Sequence, residues 1–392
     1  MMERIYLDSA ASTPVADEVI QEMIPYLKQQ FGNPSSIHYF GRETTRAIQL
    51  ARKRVADLVS AKPQEITFTS GGTEADNLAV KGTADYAKSK DPSKNHIITS
   101  YIEHDAVLEP CRDLERLGYN VTFLPVTPEG LVRPEVLKEA ITPSTALVSI
   151  MHANNEVGTI QPIKELAKIA HDAGALFHTD AVQAAGKIPV DVKDLGVDLL
   201  SMSSHKINGP KGVGALYIRD GLEIMPIIHG GGQESAMRSG TENVPGIVGF
   251  GKACELAKGR LAEYQRQVSA LRDCLIENVL SEIPHSRLNG SRTSRLAANA
   301  HFTFFGVNGE DLIIKLDEEG IAASTGSACS VKKQKPSHVL KAMGFSYEEI
   351  TGSLRISLSM QNTKEEMDRT VSALAGVVKE LRSLSPFKSK YA

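Results

Sequence analysis

The chain lacks the features that mark most special classes of protein. Its 392 residues hold only four cysteines, at 111, 254, 274 and 329. They are too scattered for a disulfide framework, and no CxxC pair points to a metal. No run approaches the roughly 18 apolar residues of a membrane span. No charge sign dominates: 44 basic against 47 acidic residues leave a net of −3. That balance gives no footprint for nucleic acid or for a membrane surface. There is no internal repeat and no low-complexity tract. Met1 to Tyr6 runs directly into Asp8, so no signal segment is expected, and a soluble cytoplasmic protein is the default. The length exceeds one compact core, which predicts two domains.

What the chain does have is alternation. Strand-like runs at 66–69, 96–99, 121–126, 145–150, 175–178 and 197–202 are separated by helical periodicity, and 214–218 and 225–229 read as two further strands. Strands alternating with helices at this pitch predict an α/β domain with a mainly parallel sheet. Residues 245–281 read as a long helix bridging to a smaller α+β region. There the expected elements are strands at 299–305, 321–324 and 353–358 and helices at 309–317, 337–343 and 363–382. The tail from Ser383 is expected to fray.

The stretch around Lys206 organises the rest. The apolar run Val197–Met202 ends in Ser203-Ser204-His205-Lys206, and Asn208-Gly209-Pro210 forces a loop behind it. A lysine held past the end of a core strand can be desolvated and become a nucleophile toward aldehydes, which suggests a Schiff base with pyridoxal phosphate. Taken alone it reads more readily as an exposed loop lysine.

Other polar residues also follow strand ends, where parallel α/β sheets bind ligands. Gly71-Gly72-Thr73 opens a helix and can present bare N–H groups to a phosphate, with Ser203 and His205 as further donors. Asp180 can hold a pyridinium N–H, or simply cap a helix. His104 can stack on a ring, or be a loop histidine. Gln183 can reach a ring hydroxyl, or be solvated. Asn154-Asn155-Glu156 follows the strand at 145–150. Arg355, inside the apolar run 354–358, can fork onto a carboxylate or lie on an edge strand facing water. The glycine-rich loop 230–241 suits a ligand's backbone approach or an exchange between subunits. Cys111, Cys254 and Cys274 fall in helices and read as inert packing. Cys329 falls in the small-residue loop 324–330, followed by Lys332, Lys333 and Lys335, which favour its thiolate.

Asp8-x-Ala10-Ala11-x-Thr13-Pro14, Gly32-Asn33-Pro34-Ser35-Ser36-x-His38, Ser70-Gly71-Gly72-Thr73-Glu74-x-Asp76-Asn77 and Glu103-His104 resemble the cysteine desulfurases of the NifS/IscS kind. So do Asn154-Asn155-Glu156-x-Gly158, His178-x-Asp180-Ala181-x-Gln183, Ser203-x-His205-Lys206, Gly209-Pro210-Lys211-Gly212, Arg238-Ser239-Gly240-Thr241, Gly326-Ser327-Ala328-Cys329 and Arg355. The resemblance runs from about residue 5 to 380.

It implies a pyridoxal-phosphate-dependent transferase of fold type I. A large α/β domain (15–260) would carry a mainly parallel, seven-stranded sheet between helices. A smaller α+β domain (1–14 and 261–392) would carry the cysteine loop. The resemblance makes Lys206 the Schiff-base lysine, Asp180 and Gln183 the ring partners, and His104 the stacking and proton-transfer residue. Gly72, Thr73, Ser203 and His205 become phosphate ligands, with Thr241 supplied by the other subunit of a homodimer. Asn155 and Arg355 would hold the substrate carboxylate, Asn155 also touching the cofactor. Cys329 would take sulfur from L-cysteine as a persulfide, release alanine, and pass sulfur to an iron–sulfur scaffold or tRNA-thiolation protein. No metal is expected, save for Cys329 as an iron–sulfur ligand shared with a partner. The stretch 330–336 is more basic than the family's usual version, which bears on partner choice. A selenocysteine lyase would share most of the site, an aminotransferase would not need Cys329, and a non-catalytic sulfur carrier would not need Lys206.

Overall fold

The computed structural model describes residues 4–325, 336–384 and 388–391. The first part of the chain forms β1 (Ile5–Tyr6), α1 (Asp17–Lys28), α2 (Tyr39–Leu58), β2 (Ile66–Thr69), α3 (Gly72–Lys90), β3 (His96–Ser100), α4 (Asp105–Arg116) and β4 (Asn120–Leu124). Then come α5 (Pro134–Ala140), β5 (Thr145–Ser149), α6 (Ile163–Asp172), β6 (Leu176–Asp180), α7 (Val192–Leu195), β7 (Leu199–Ser203), β8 (Gly214–Ile218) and α8 (Val244–Glu282). The remainder forms β9 (Ser286–Leu288), β10 (Asn299–Phe304), α9 (Gly309–Glu318), β11 (Ile321–Ala322), α10 (His338–Ala342), α11 (Tyr347–Thr351), β12 (Ser353–Ser357), α12 (Lys364–Leu384) and α13 (Lys388–Tyr391).

A seven-stranded sheet runs in the order β2-β8-β7-β6-β5-β3-β4. Strand β8 is antiparallel to both neighbours, and the other pairings are parallel. Its central strands are buried on both faces, as a sheet covered by helices requires. Successive residues face opposite layers. Ile98, Val148, Phe177 and Leu200 pack in one apolar cluster with residues of α2, α6 and α8. Ile97, Leu147 and Leu199 pack in another with residues of α3 and α4.

Helix α8 joins two cores. Asn243 caps its start by accepting from Gly246 N at 3.2 Å, and Pro245 sits in its first turn, where a missing N–H costs nothing. Its first half packs on α2 so closely that a Cβ on Gly251 would lie 2.6 Å from Ala51 Cα. Its second half, from Val268 to Val279, joins the cluster formed by β10, β12, α9 and α12. There β12-β10-β9 makes a three-stranded antiparallel sheet, and β1 pairs in parallel with β11.

Two expectations fail. Residues 225–229 form no strand: Pro226 has no N–H to give a ladder, and Met225 N bonds instead to the Gly82 carbonyl at 2.9 Å. The tail does not simply fray. Its described residues form α13, and Tyr391 is buried, donating to Glu348 Oε1 at 2.6 Å. Among the described residues, no helix is long and apolar enough to cross a membrane.

Candidate active site

A cavity of about 290 Å³ opens beyond the carboxyl ends of β3, β5, β6 and β7. It is lined by Gly72, Thr73, His104, Asn155, Asp180, Gln183, Ser203, His205, Lys206 and Arg355, among others. Ten residues singled out in the sequence, from positions 72 to 355, therefore share one space.

Each is placed by local chemistry. Helix α3 begins at Gly72, and its first N–H groups have no carbonyl partner within the helix. A Cβ at Gly72 would lie 2.7 Å from Val182 Cγ2, so glycine lets the helix start close against the turn after β6. Ser203 is the last residue of β7, and Ser204–Lys206 form a single 3-10 turn. Lys206 Nζ donates to the carbonyls of Ala10 at 2.6 Å and Ala11 at 2.8 Å, so it points into the cavity rather than out to water. His205 Nδ1 meets Ser12 Oγ at 3.2 Å. Burial, then the charge of Lys206, pushes its pKa down to about 4, which keeps the ring neutral.

Asp180 ends β6, and its Oδ1 accepts from Val182 N at 2.9 Å, capping the turn that follows. The capping alternative is thus true of one oxygen, while the residue also lines the cavity. Burial raises its pKa, with His104 and Lys206 pulling the other way. His104 caps α4: its Nδ1 accepts from Ala106 N at 3.1 Å, which puts the ring N–H on Nε2. Arg355 lies on an edge strand yet is only 2 % exposed, so the surface alternative is excluded. It donates to Asp8 Oδ1 at 2.7 Å and to the Asn155 carbonyl at 3.0 Å.

Two residues are not brought in. Thr241 is exposed and lines a different cavity with Ser70 and Gly212 of its own chain. Cys329 lies outside the described residues, as do Lys332, Lys333 and Lys335. The helical cysteines at 111 and 254 are buried, which pushes the first thiol up to about 12 and raises the second as well. Both are held as thiols at neutral pH, as inert packing requires. Among the described residues, no cluster of three or more His, Cys, Asp or Glu is placed to hold a metal. The loop 230–241 is strapped down: Arg52 grips Glu234 at 2.6 Å, and Arg238 pairs with Glu74 at 2.8 Å.

Sequence reasoning missed Asp76. It is 1 % exposed, lines the cavity, and has an Oδ1 with no hydrogen-bond partner, 3.7 Å from His178 Nε2. Burial, and next the charge of Asp180, raises its pKa well above the carboxylate range. His178, wedged between Ser149 and Ser201, is pushed down to about 3 by burial and stays neutral. The spacing held a signal: Asp76 follows Gly72 by four, so it shares the face of α3 that starts at the cavity.

Pyridoxal phosphate fits this set. Two buried carboxylates, one with an oxygen left unpaired, suit a ring N–H that carries positive charge. A helix start beside Ser203 and His205 suits a phosphate. Lys206 lines the same space.

The aminotransferase class-V family matches residues 5–370. The cysteine desulfurase IscS of Dictyoglomus turgidum is 52% identical over 391 residues, spanning 100% of this chain and 98% of that protein. The cysteine desulfurase IscS of Methanosarcina thermophila is 53% identical over 386 residues, spanning 98% and 95%. A solved structure of a NifS-like protein superposes with a TM-score of 0.90 at 40% identity, covering 97% of this chain and 100% of that one. These matches run over the sheet, the cavity and the second core alike, and the chain belongs to the aminotransferase class-V family, among the cysteine desulfurases of the NifS/IscS kind.

Proposed function

We infer that this chain desulfurates L-cysteine with pyridoxal phosphate, and that Cys329 takes the sulfur as a persulfide. The observation that carries the reading is Lys206 Nζ, drawn into the cavity by the Ala10 and Ala11 carbonyls, in a space shared with a helix start and a buried aspartate. Sequence identity of about half over the full length to cysteine desulfurases supports the choice of substrate.

Lys206 would hold the cofactor covalently and move a proton at the substrate's Cα. Gly72, Thr73, Ser203 and His205 would hold its phosphate, Asp180 its ring nitrogen and Gln183 its ring oxygen. When bound, pyridoxal phosphate supplies an electron sink for the bonds at Cα. His104, with Nδ1 committed to Ala106 N, offers an Nε2 proton on the cavity side and a ring face for stacking. Asn155 and Arg355 would orient the substrate carboxylate, with Asp8 fixing the guanidinium plane. The Cys329 thiolate would then attack the substrate sulfur. The S–S bond forms as the C–S bond breaks, the electron pair leaves with the carbon fragment, and a proton delivered there yields alanine.

The homodimer is supported by two features. Phe31 (72 % exposed) and Tyr39 (61 %) pack their rings on Phe40 in an exposed aromatic cluster, and Ile37, two residues before Tyr39, is 91 % exposed. Thr241 also lies away from its own cavity, where a partner's cavity can use it. We take 15–260 as the large domain and 1–14 with 261–392 as the small one; the separate apolar clusters on the two halves of α8 support the division, and a smaller cluster of Ile102, Met151 and Val157 with Val339 and Leu340 packs across it. A reactive thiol works best in a reducing compartment, which favours the cytoplasm. The sulfur acceptor would be an iron–sulfur scaffold or a tRNA-thiolation protein, and Cys329 would serve as a cluster ligand only together with such a partner. The test is direct. The purified protein should be yellow and should release alanine and, with a reductant, sulfide from cysteine in equal amounts. Alanine or pyruvate without sulfide would contradict the reading.

A further inference from the structure

Lys187 is buried and has no part in the account above. It follows Gln183 by four positions in the turn after β6, and both side chains are buried. Lys187 Nζ donates to Gln183 Oε1 at 3.0 Å, and Gln183 Nε2 donates to the Ala10 carbonyl at 2.9 Å. Gln183 lines the cavity of the site. Lys187 lines a neighbouring cavity of about 270 Å³, and Lys206 lines both. Burying an amine against a neutral amide is costly. Burial, helped by the charges of Lys206 and Arg355, pushes its pKa down to about 7.

The pair settles a question of orientation. A carboxamide can face a ring oxygen with its own oxygen or with its nitrogen, and the two choices act in opposite directions. The Ala10 carbonyl only accepts, so the amide nitrogen must face it. A lysine ammonium only donates, so the amide oxygen must face Lys187. The two constraints agree while Lys187 is charged; a neutral amine can accept as well as donate, and the Ala10 carbonyl then holds the amide nitrogen by itself. They leave the second N–H of Gln183 Nε2 for another acceptor.

We propose that Lys187 is a positioning residue that locks the Gln183 carboxamide so that its nitrogen donates to the ring oxygen of the bound cofactor. This rests on the reading of Gln183 as a ring partner. A donor there favours the ionised form of that oxygen, whereas a carboxamide oxygen would favour the protonated form. Lys187 thus sets the protonation state of the cofactor from outside its contact shell.

The test uses the full-length protein loaded with pyridoxal phosphate, without substrate, and follows the absorbance of the bound chromophore with pH. Gln183→Ala should raise its apparent pKa by about one unit, a tenfold change, as expected for one hydrogen bond to an ionised group. Lys187→Met, which keeps the side-chain length and removes the donor, should raise it by about half a unit. In the Gln183→Ala background Lys187→Met should add nothing. Lys187→Leu carries the same expectations should the methionine variant fail to fold. An equal shift from Lys187→Met in both backgrounds overturns the positioning role, since the lysine would then act through its charge alone. No shift from Lys187→Met beside a shifted Gln183→Ala overturns it too, while leaving Gln183 as a ring partner. No shift from Gln183→Ala removes the reading beneath, and the proposal falls with it.

Discussion

The ionisable groups around the cavity fall into two sets. Asp76, Asp180 and, beside them, Glu103 are carboxylates whose pKa values burial raises. Opposite them stand the bases His205, Lys206 and Arg355, and burial, then the charge of Lys206, lowers the pKa of His205. Each set carries a desolvation cost that an opposite charge would relieve. The acidic set suits a cationic ring nitrogen, and the basic set suits a phosphate or a carboxylate. A ligand bearing both charges satisfies the two sets together, and a ligand of one sign would satisfy only one. The contrast accounts for a cavity built from so many buried charges: it is matched to a dipolar occupant.

Removing the group that belongs to the chemistry should have the largest effect. Lys206→Ala should lower the rate of sulfide release by about 10³-fold or more, since it removes both the covalent hold and the proton carrier. The loss shows in steady-state assays and in a changed absorption spectrum. Breaking the acidic set comes next. Asp180→Asn should retain pyridoxal phosphate poorly, and when loaded should turn over about 10²-fold more slowly, because the ring nitrogen loses its proton. A fully loaded variant with unchanged turnover would exclude that role. On the basic set, Arg355→Lys keeps the charge and loses the fork. It should raise KM for cysteine about tenfold, with a smaller effect on kcat.

Burial of a base and burial of an acid predict opposite responses to pH. His178 titrates near 6.5 when unfolded and near 3 when folded, so between those values the unfolded chain binds the extra proton. Stability is then lost as pH falls from 6.5, by about 2 kcal/mol at pH 5 for this residue. Carboxylates raised by burial do the reverse, because protonation on the way down relieves their cost. His178→Gln should therefore flatten the acid limb of stability measured by urea unfolding at pH 7 and pH 5. The smallest effect belongs to the inert thiols: Cys111→Ala and Cys254→Ala should leave kcat unchanged while lowering the urea midpoint, as a cavity in a packed core does.

The parts legible in the sequence were those with local signals. A strand ending in small polar residues and then Asn208-Gly209-Pro210 located Lys206. Gly71-Gly72-Thr73 located a helix start, and the rule that ligands sit beyond strand ends brought them together. What stayed hidden depends on distance in the chain or on burial that no local pattern announces. Asp76 sits among Thr73, Glu74 and Asn77 and reads as part of a polar helix face. Lys187 follows Gly186 and reads as a surface turn lysine, although Ile207, Ala257 and the rest of the core close over that turn. The grip of Asp8 on Arg355 joins residues 347 positions apart, beyond any periodicity. The failure at 225–229 is different in kind: the apolar run reads as a strand, yet Pro226 and the bond from Met225 N to Gly82 of α3 hold it as an irregular segment.

Two lysines line adjoining cavities here, Lys187 buried and Lys206 half-buried, and the account assigns the covalent bond to Lys206. Borohydride reduction of the protein loaded with pyridoxal phosphate, followed by digestion and peptide mass mapping, decides between them. The account predicts one pyridoxyl group per chain on the peptide that contains Lys206. A label on Lys187, or on any other lysine, would contradict it.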